Sequence, residues 1–161
     1  MFFAVLVASL ALSIGMAIYD LVVRELQVSS TTEQSQYAIY AADSAAECAL
    51  YWDFNFNGAE SAFATSSTDT DALAATGLSC NGQDITSGGW IPGTTVTFDS
   101  VKMIGTTTTA INIGTHYAQL TVVKTLDQVT GYEHTSISAD GYNTQNITSP
   151  NAVERELQVN Y

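Results

Sequence analysis

The sequence predicts an α+β protein, in which a long N-terminal α-helix, apolar in its first half and amphipathic in its second, packs against a small antiparallel β-sheet. Three observations predict it. The first nineteen residues contain no charged side chain. No Pro or Gly lies between Met16 and Phe54, so nothing in that stretch ends a helix. From Thr94 onward, β-branched and aromatic residues recur with the period of two that is typical of half-buried strands.

We expect two parts in the chain. Residues 1–53 form the helix, and within it residues 1–19 form a membrane or filament-core segment. Nineteen helical residues span about 28 Å, which is close to the hydrocarbon thickness of a bilayer. Residues 54–161 form a globular antiparallel β-sheet domain with a connecting loop over residues 54–93, which we expect to be irregular from residue 59 onward. A domain of this size gains core by packing on the helix.

The second half of the helix has two different faces. At about 100° per residue, small and apolar side chains share one stripe, which we predict to be the bed for the sheet. This stripe contains Ala38, Ala41, Ala42, Ala45, Cys48, Ala49 and Trp52. The opposite face is solvated and contains Glu33, Gln36, Tyr40, Asp43, Glu47 and Tyr51.

The strands are predicted from runs of alternating residues separated by turn signals. The runs cover residues 94–104, 106–113, 116–126, 132–142 and 153–161, and the first four are separated by turn signals at Gly105, Gly114 and DQVTG (127–131). They predict an antiparallel meander. In the third run we expect an inward face of Ala118, Leu120, Val122 and Leu126, with Lys124 at the rim of the core. In the last run Leu157 and Val159 share one face with Tyr161, and acidic and amide side chains occupy the other.

The charge balance excludes one class of partner. Sixteen acidic residues stand against four basic ones, Arg24, Lys102, Lys124 and Arg155, which gives a net charge of −12. Nucleic-acid affinity depends on clusters of Lys and Arg that neutralise phosphates. We therefore expect no nucleic-acid partner through bulk charge.

The two cysteines, Cys48 and Cys80, have two interpretations. Outside the cytoplasm they would form a disulfide bond, and in the cytoplasm they would be free buried thiols. Their spacing matches no zinc motif. We expect the disulfide, which would contribute about 3–4 kcal/mol in the chain-entropy account.

No motif for catalysis, a cofactor or a metal stands out, so we expect no enzyme, no cofactor and no metal site. There is no phosphate-binding glycine loop, no nucleophile elbow and no zinc-protease motif. Asp53, Asn55, Asn57 and Gly58 match the opening of a calcium loop, but its twelfth position is Ala64, not Glu. We therefore interpret this stretch as a helix stop, and Asp69 and Asp71 as part of a solvated acidic loop.

Orientation in a membrane follows from the basic residues. The first of them, Arg24, lies beyond the apolar span, whereas the cytoplasmic flank of a span normally carries Lys or Arg. Either the C-terminal domain is cytoplasmic, or a basic leader has been removed. The second interpretation agrees better with a disulfide, and it makes this sequence a mature, processed form.

An apolar helix that continues into an amphipathic half, followed by an antiparallel sheet and a cysteine pair, resembles type IV pilins and pseudopilins over essentially the whole chain. Residues 24–53, together with GYNTQN at 141–146 and VERELQVNY at 153–161, more narrowly resemble the pilin-like proteins of bacteria of the candidate phyla radiation.

The resemblance implies a structural subunit that polymerises through its helix into a helical filament of identical copies. It implies a prepilin peptidase and a pilus assembly machinery as partners. Processing and methylation would fall on Met1. The chain would lie in the cytoplasmic membrane before assembly and in an extracellular pilus afterwards, serving attachment, motility or uptake, with no host or surface ligand assigned. The expected filament-core residues are Phe2, Phe3, Val5, Leu6, Leu10, Leu12, Ile14 and Ile18.

One position departs from the family pattern. Pilins usually carry Glu five residues into the mature chain, and here that residue is Val5. This departure supports an alternative role as a minor pilin or pseudopilin of a related filament. A second alternative is a single-pass membrane protein that never polymerises and presents a ligand-binding β domain.

Overall fold

The computed structural model describes residues 2–56, 61–63, 78–84, 95–99 and 104–161. The chain forms two compact units, residues 1–34 and residues 35–161. The second half of the helix therefore belongs to the same unit as the sheet. The predicted boundary at residue 53 separates the helix from the β-sheet domain, and it stays a prediction.

The helix α1 spans Phe2–Asn55 and is 54 residues long. It confirms the predicted long helix and ends two residues after the predicted end at Asp53. Within the second unit its buried residues are Ala38, Ala41, Ala42, Ala45, Ala46, Ala49 and Asp53. Cys48 and Trp52, also on the predicted stripe, are half-buried and pack against the core. The predicted solvated face is exposed from Glu33 to Tyr51.

The strands form two antiparallel sheets. A small hairpin pairs β1 with β2, and a five-stranded sheet has the order β3-β4-β5-β6-β7, a meander as predicted. The strands are β1 Ser79–Cys80, β2 Gln83–Asp84, β3 Thr95–Asp99, β4 Ile104–Ile113, β5 His116–Leu126, β6 Glu133–Tyr142 and β7 Glu154–Asn160.

The core lies between α1 and one face of the large sheet. Strand register places Val122 opposite Ile137, and Leu120 opposite Ala139. These side chains and Ile111 are buried in one cluster with the alanines of α1. Large side chains from the sheet thus fill the space that the small side chains of the helix leave.

Gly141 marks the closest approach of sheet and helix. A Cβ atom at this position would collide with the carbonyl oxygen of Ala38 and the amide nitrogen of Ala42, and would lie 3.0 Å from the Cα of Ala42. These are backbone atoms, which do not move aside as a flexible side chain does. Only glycine fits here without moving β6 away from α1.

Three details of the sequence prediction are wrong. Ile104 begins β4 and does not end the preceding strand. Gly105, interpreted as a turn, is a buried strand residue opposite Lys124. The connecting loop is not wholly irregular, because it contains the β1–β2 hairpin, whose turn residues Asn81 and Gly82 both have positive φ angles.

Candidate assembly surface

The first unit exposes an almost continuous apolar surface. The eight residues predicted to pack in a filament core, from Phe2 to Ile18, have between 45% and 82% of their surface exposed. Further along the helix, Leu21, Val22, Leu26 and Val28 are exposed as well. Met1, the predicted processing site, lies outside the described residues.

The two serine hydroxyl groups in this segment are satisfied within the helix itself. The hydroxyl groups of Ser9 and Ser13 donate hydrogen bonds to the carbonyl oxygens of Leu6 and Leu10, each at 2.9 Å. The first charges, Asp20 and Arg24, form an exposed ion pair at 3.1 Å one helical turn apart. No side chain from Phe2 to Ile18 therefore requires water, and this surface is compatible with lipid or with another apolar helix.

By length and composition, α1 can cross a membrane, and it is the one helix in the described part of the chain that can. The apolar stretch of α1 that could lie in the membrane is not covered by any other part of the described chain. This surface has a shallow apolar depression. It is lined by Ala8, Ala11, Leu12, Gly15, Met16 and Tyr19. Small residues in such a depression let a second backbone approach closely.

The predicted disulfide between Cys48 and Cys80 is present and joins α1 to the β1–β2 hairpin, with 5.8 Å between the two Cα atoms. The Trp52 indole N–H donates a hydrogen bond to the carbonyl oxygen of Ser79 at 3.1 Å, one residue before Cys80. Leu78 is buried beside the bridge. The hairpin is thus fixed to the helix by a covalent bond, a hydrogen bond and a buried side chain.

A buried polar cluster surrounds Asp53, and the sequence prediction missed it. The Lys124 ammonium lies 2.9 Å from Asp53 Oδ1, so Lys124 is buried and not at the rim as predicted. The hydroxyl groups of Ser61 and Tyr161 donate to the two oxygens of the same carboxylate. Burial, and then the hydrogen bond to Asp53, raise the pKa of Tyr161 above its ordinary value.

A sequence signal for this cluster did exist. Lys124 has the same strand parity as Leu120 and Val122, which places it on the inward face. Asp53 lies four residues after Ala49 on the buried stripe of α1. A charged residue at an inward position of each element predicts a buried pair, because an isolated buried charge is costly.

The first residue of the calcium-loop match, Asp53, has partners within the protein. The Asp53 carboxylate faces the Lys124 ammonium and two hydroxyl groups. Asn57, Gly58, Ala64, Asp69 and Asp71 lie outside the described residues. Within the described ranges, no group of three or more His, Cys, Asp or Glu side chains is arranged to hold a metal ion.

The face of the sheet opposite the core carries negative charge. Asp140 pairs with Glu156 across β6 and β7, and Glu154 lies two residues before Glu156. Partial burial raises the pKa of Asp140, and the neighbouring charges of Glu156 and Glu154 raise it further. This face is therefore acidic, unlike the surface of the first unit.

Comparison of the chain with protein-family models, with curated proteins and with solved structures finds no match. The architecture itself, one long apolar N-terminal helix together with an antiparallel sheet, is compatible with a pilin-like fold.

Proposed function

We propose that this chain is a structural pilin subunit that waits in the cytoplasmic membrane and then polymerises through the apolar half of α1 into an extracellular filament. The observation that carries the proposal is the exposed apolar surface from Phe2 to Ile18. Burying one large apolar side chain is worth about 1.5–3 kcal/mol. A surface of this size therefore requires a cover of lipid or of other copies.

Two features favour packing among copies in addition to a lipid phase. The depression around Gly15 offers a close helix–helix contact of the kind that small residues make. The acidic face around Asp140 suits a subunit whose globular part stays in water after the helix is covered. The same apolar surface then avoids water both before and after assembly.

The disulfide supports a location outside the cytoplasm. Disulfide bonds persist in oxidising compartments and are rare in the cytoplasm. With the Cys48–Cys80 bridge in the second unit, we place the sheet on the outer side of the membrane and then on the fibre. A prepilin peptidase and a pilus assembly machinery belong to this proposal as partners.

The proposal is tested by adding a charge to the apolar surface. Asp near the centre of a spanning helix costs about 2.5–3.5 kcal/mol for insertion. We expect Leu10→Asp to abolish surface fibres in the source cells, measured by electron microscopy and by the amount of this chain in sheared material. Val129→Asp is the matched control, because Val129 is 94% exposed in the β5–β6 turn; it should leave fibres unchanged.

The same preparation separates the alternative roles. A major subunit is the dominant protein of the sheared fibres. A minor pilin, the role that Val5 suggests, is present at a small fraction of another subunit. A single-pass membrane protein is absent from the fibres and stays in the membrane fraction. Normal fibres containing Leu10→Asp as their main component would contradict polymerisation through this surface.

A further inference from the structure

The Lys124 side chain is a buried amino group in contact with two carboxylates. Its Nζ lies 2.9 Å from Asp53 Oδ1 and 3.4 Å from Glu133 Oε2. The side chains of Lys124 and Asp53 are 5% and 4% exposed, whereas that of Glu133 is 48% exposed. A buried ion pair is often no more stable than an apolar pair of the same size. Stability of the fold therefore does not by itself account for these charges.

The arrangement has the parts that amide formation requires. An amine and a carboxyl group held in contact have a very high effective concentration. Exclusion of water favours condensation over hydrolysis. Both Asp53 oxygens accept hydrogen bonds, from Ser61 and from Tyr161, which withdraw charge from the carbonyl carbon. The Glu133 carboxylate contacts the amine and also reaches solvent, so it can accept a proton and pass it on.

We propose that Lys124 and Asp53 form an intramolecular isopeptide bond, with Glu133 as the proton-transfer group. The Lys124 ammonium gives one proton directly to Asp53 Oδ1, which it contacts, and this leaves a neutral amine beside a neutral carboxyl group. The amine nitrogen attacks Asp53 Cγ, and the new C–N bond forms. The nitrogen loses a second proton through Glu133 to the departing hydroxyl group, the C–O bond breaks, and one water molecule leaves. No oxidant, cofactor or other reactant takes part.

The bond would join the end of α1 to the middle of the sheet. It closes a chain segment between residues 71 positions apart. The Cys48–Cys80 bridge lies five residues earlier on α1 and holds the hairpin. Unlike that bridge, an amide is not cleaved by thiols. Because the reaction lies within one chain, it does not depend on polymerisation, and its test is separate from that of the filament.

The test is the intact mass of the full-length chain, purified in detergent, reduced and denatured. We expect the wild type to be lighter by one water molecule than the mass its sequence and its other modifications require. Lys124→Ala and Asp53→Ala should each have the mass of an unlinked chain. Since modifications elsewhere are shared, the comparison is between wild type and variant. A wild-type chain that has kept this water would overturn the proposal.

A second measurement needs no variant. Amine labelling of the denatured chain should modify Lys102 completely and leave Lys124 unmodified, and protease digestion should release one branched peptide containing both Asp53 and Lys124. Complete labelling of both lysines would overturn the proposal.

Glu133→Gln tests the proton-transfer role, because this half-exposed side chain can change without disturbing the core. We expect most of this variant to remain unlinked. Complete linkage in Glu133→Gln would overturn the role of Glu133.

Discussion

The two halves of α1 belong to one continuous helix, but they differ in burial: the second half packs against the sheet, and the first half is exposed. From Ala38 to Ala49 the inward positions are alanines, and the core side chains of the sheet cover them. From Phe2 to Ile18 the large apolar side chains are exposed. The first half therefore depends on something outside the chain, whereas the second half is complete within it.

The buried pair in the second unit and the exposed pair in the first unit test this contrast most strongly. Lys124→Met leaves Asp53 buried without its partner, whether the two are held as an ion pair or joined by the proposed amide, and we expect a loss of at least about 3–5 kcal/mol in the free energy of unfolding. Arg24→Met breaks an exposed pair and should cost less than about 1 kcal/mol. Denaturant unfolding followed by tryptophan fluorescence measures both. Equal small losses would contradict a buried pair at Asp53.

The disulfide should have the next largest effect. Its cysteines are 32 residues apart, so replacing both by Ala should lower the free energy of unfolding by about 3–4 kcal/mol. The wild type treated with a reductant is a control that changes no side-chain volume. The disulfide account fails if the Cys48→Ala, Cys80→Ala double variant unfolds at the same denaturant concentration as the oxidised wild type.

Gly141 and Gly15 compare a closely packed glycine with an exposed one. Gly141→Ala forces β6 away from the α1 backbone, and we expect a loss of about 2–3 kcal/mol. A Cβ at Gly15 meets nothing within 4 Å, so Gly15→Ala should be neutral or raise helix stability by up to about 1 kcal/mol. Thermal unfolding in detergent distinguishes them. A neutral Gly141→Ala would show that helix and sheet are farther apart than described.

The smallest expected effect is a pH dependence at Tyr161. Folding raises the pKa of this phenol above its ordinary value of 10.0, so the folded chain holds the proton more tightly than the unfolded chain. Its contribution is therefore complete below pH 10 and is lost as the pH rises from there through the raised pKa of the folded chain. Tyr161→Phe should cost about 1 kcal/mol or less at neutral pH and should flatten this alkaline decline. If Tyr161→Phe loses stability at alkaline pH as steeply as the wild type does, groups other than Tyr161 cause that loss.

Local patterns predicted most of the fold. The alternation in residues 116–126 gave β5 with its observed bounds, and the absence of helix breakers gave α1. The β1–β2 hairpin was missed because two-residue strands have no visible period, although Asn81-Gly82 is itself a hairpin signal. Gly105 was misread as a turn because the sequence does not show that it lies buried opposite Lys124.

The two sites also differ in how far the sequence predicted them. The apolar surface from Phe2 to Ile18 is a property of consecutive residues, so composition alone located it. The Asp53–Lys124 pair joins residues 71 positions apart; periodicity places each charge on the inward face of its own element, but it does not show that the two side chains meet. Its prediction needed the packing of α1 on β5, which the separate patterns of helix and strand do not specify.

Cysteine accessibility in intact fibres tests the central claim most directly. Both native cysteines are in the disulfide, so an introduced cysteine provides a single free thiol. We expect Leu10→Cys to resist a water-soluble maleimide in assembled fibres and to react after the fibres dissolve in detergent and denaturant. Val129→Cys should react at once in both states. Labelling of Leu10→Cys in intact fibres as fast as Val129→Cys would contradict burial of this surface by assembly.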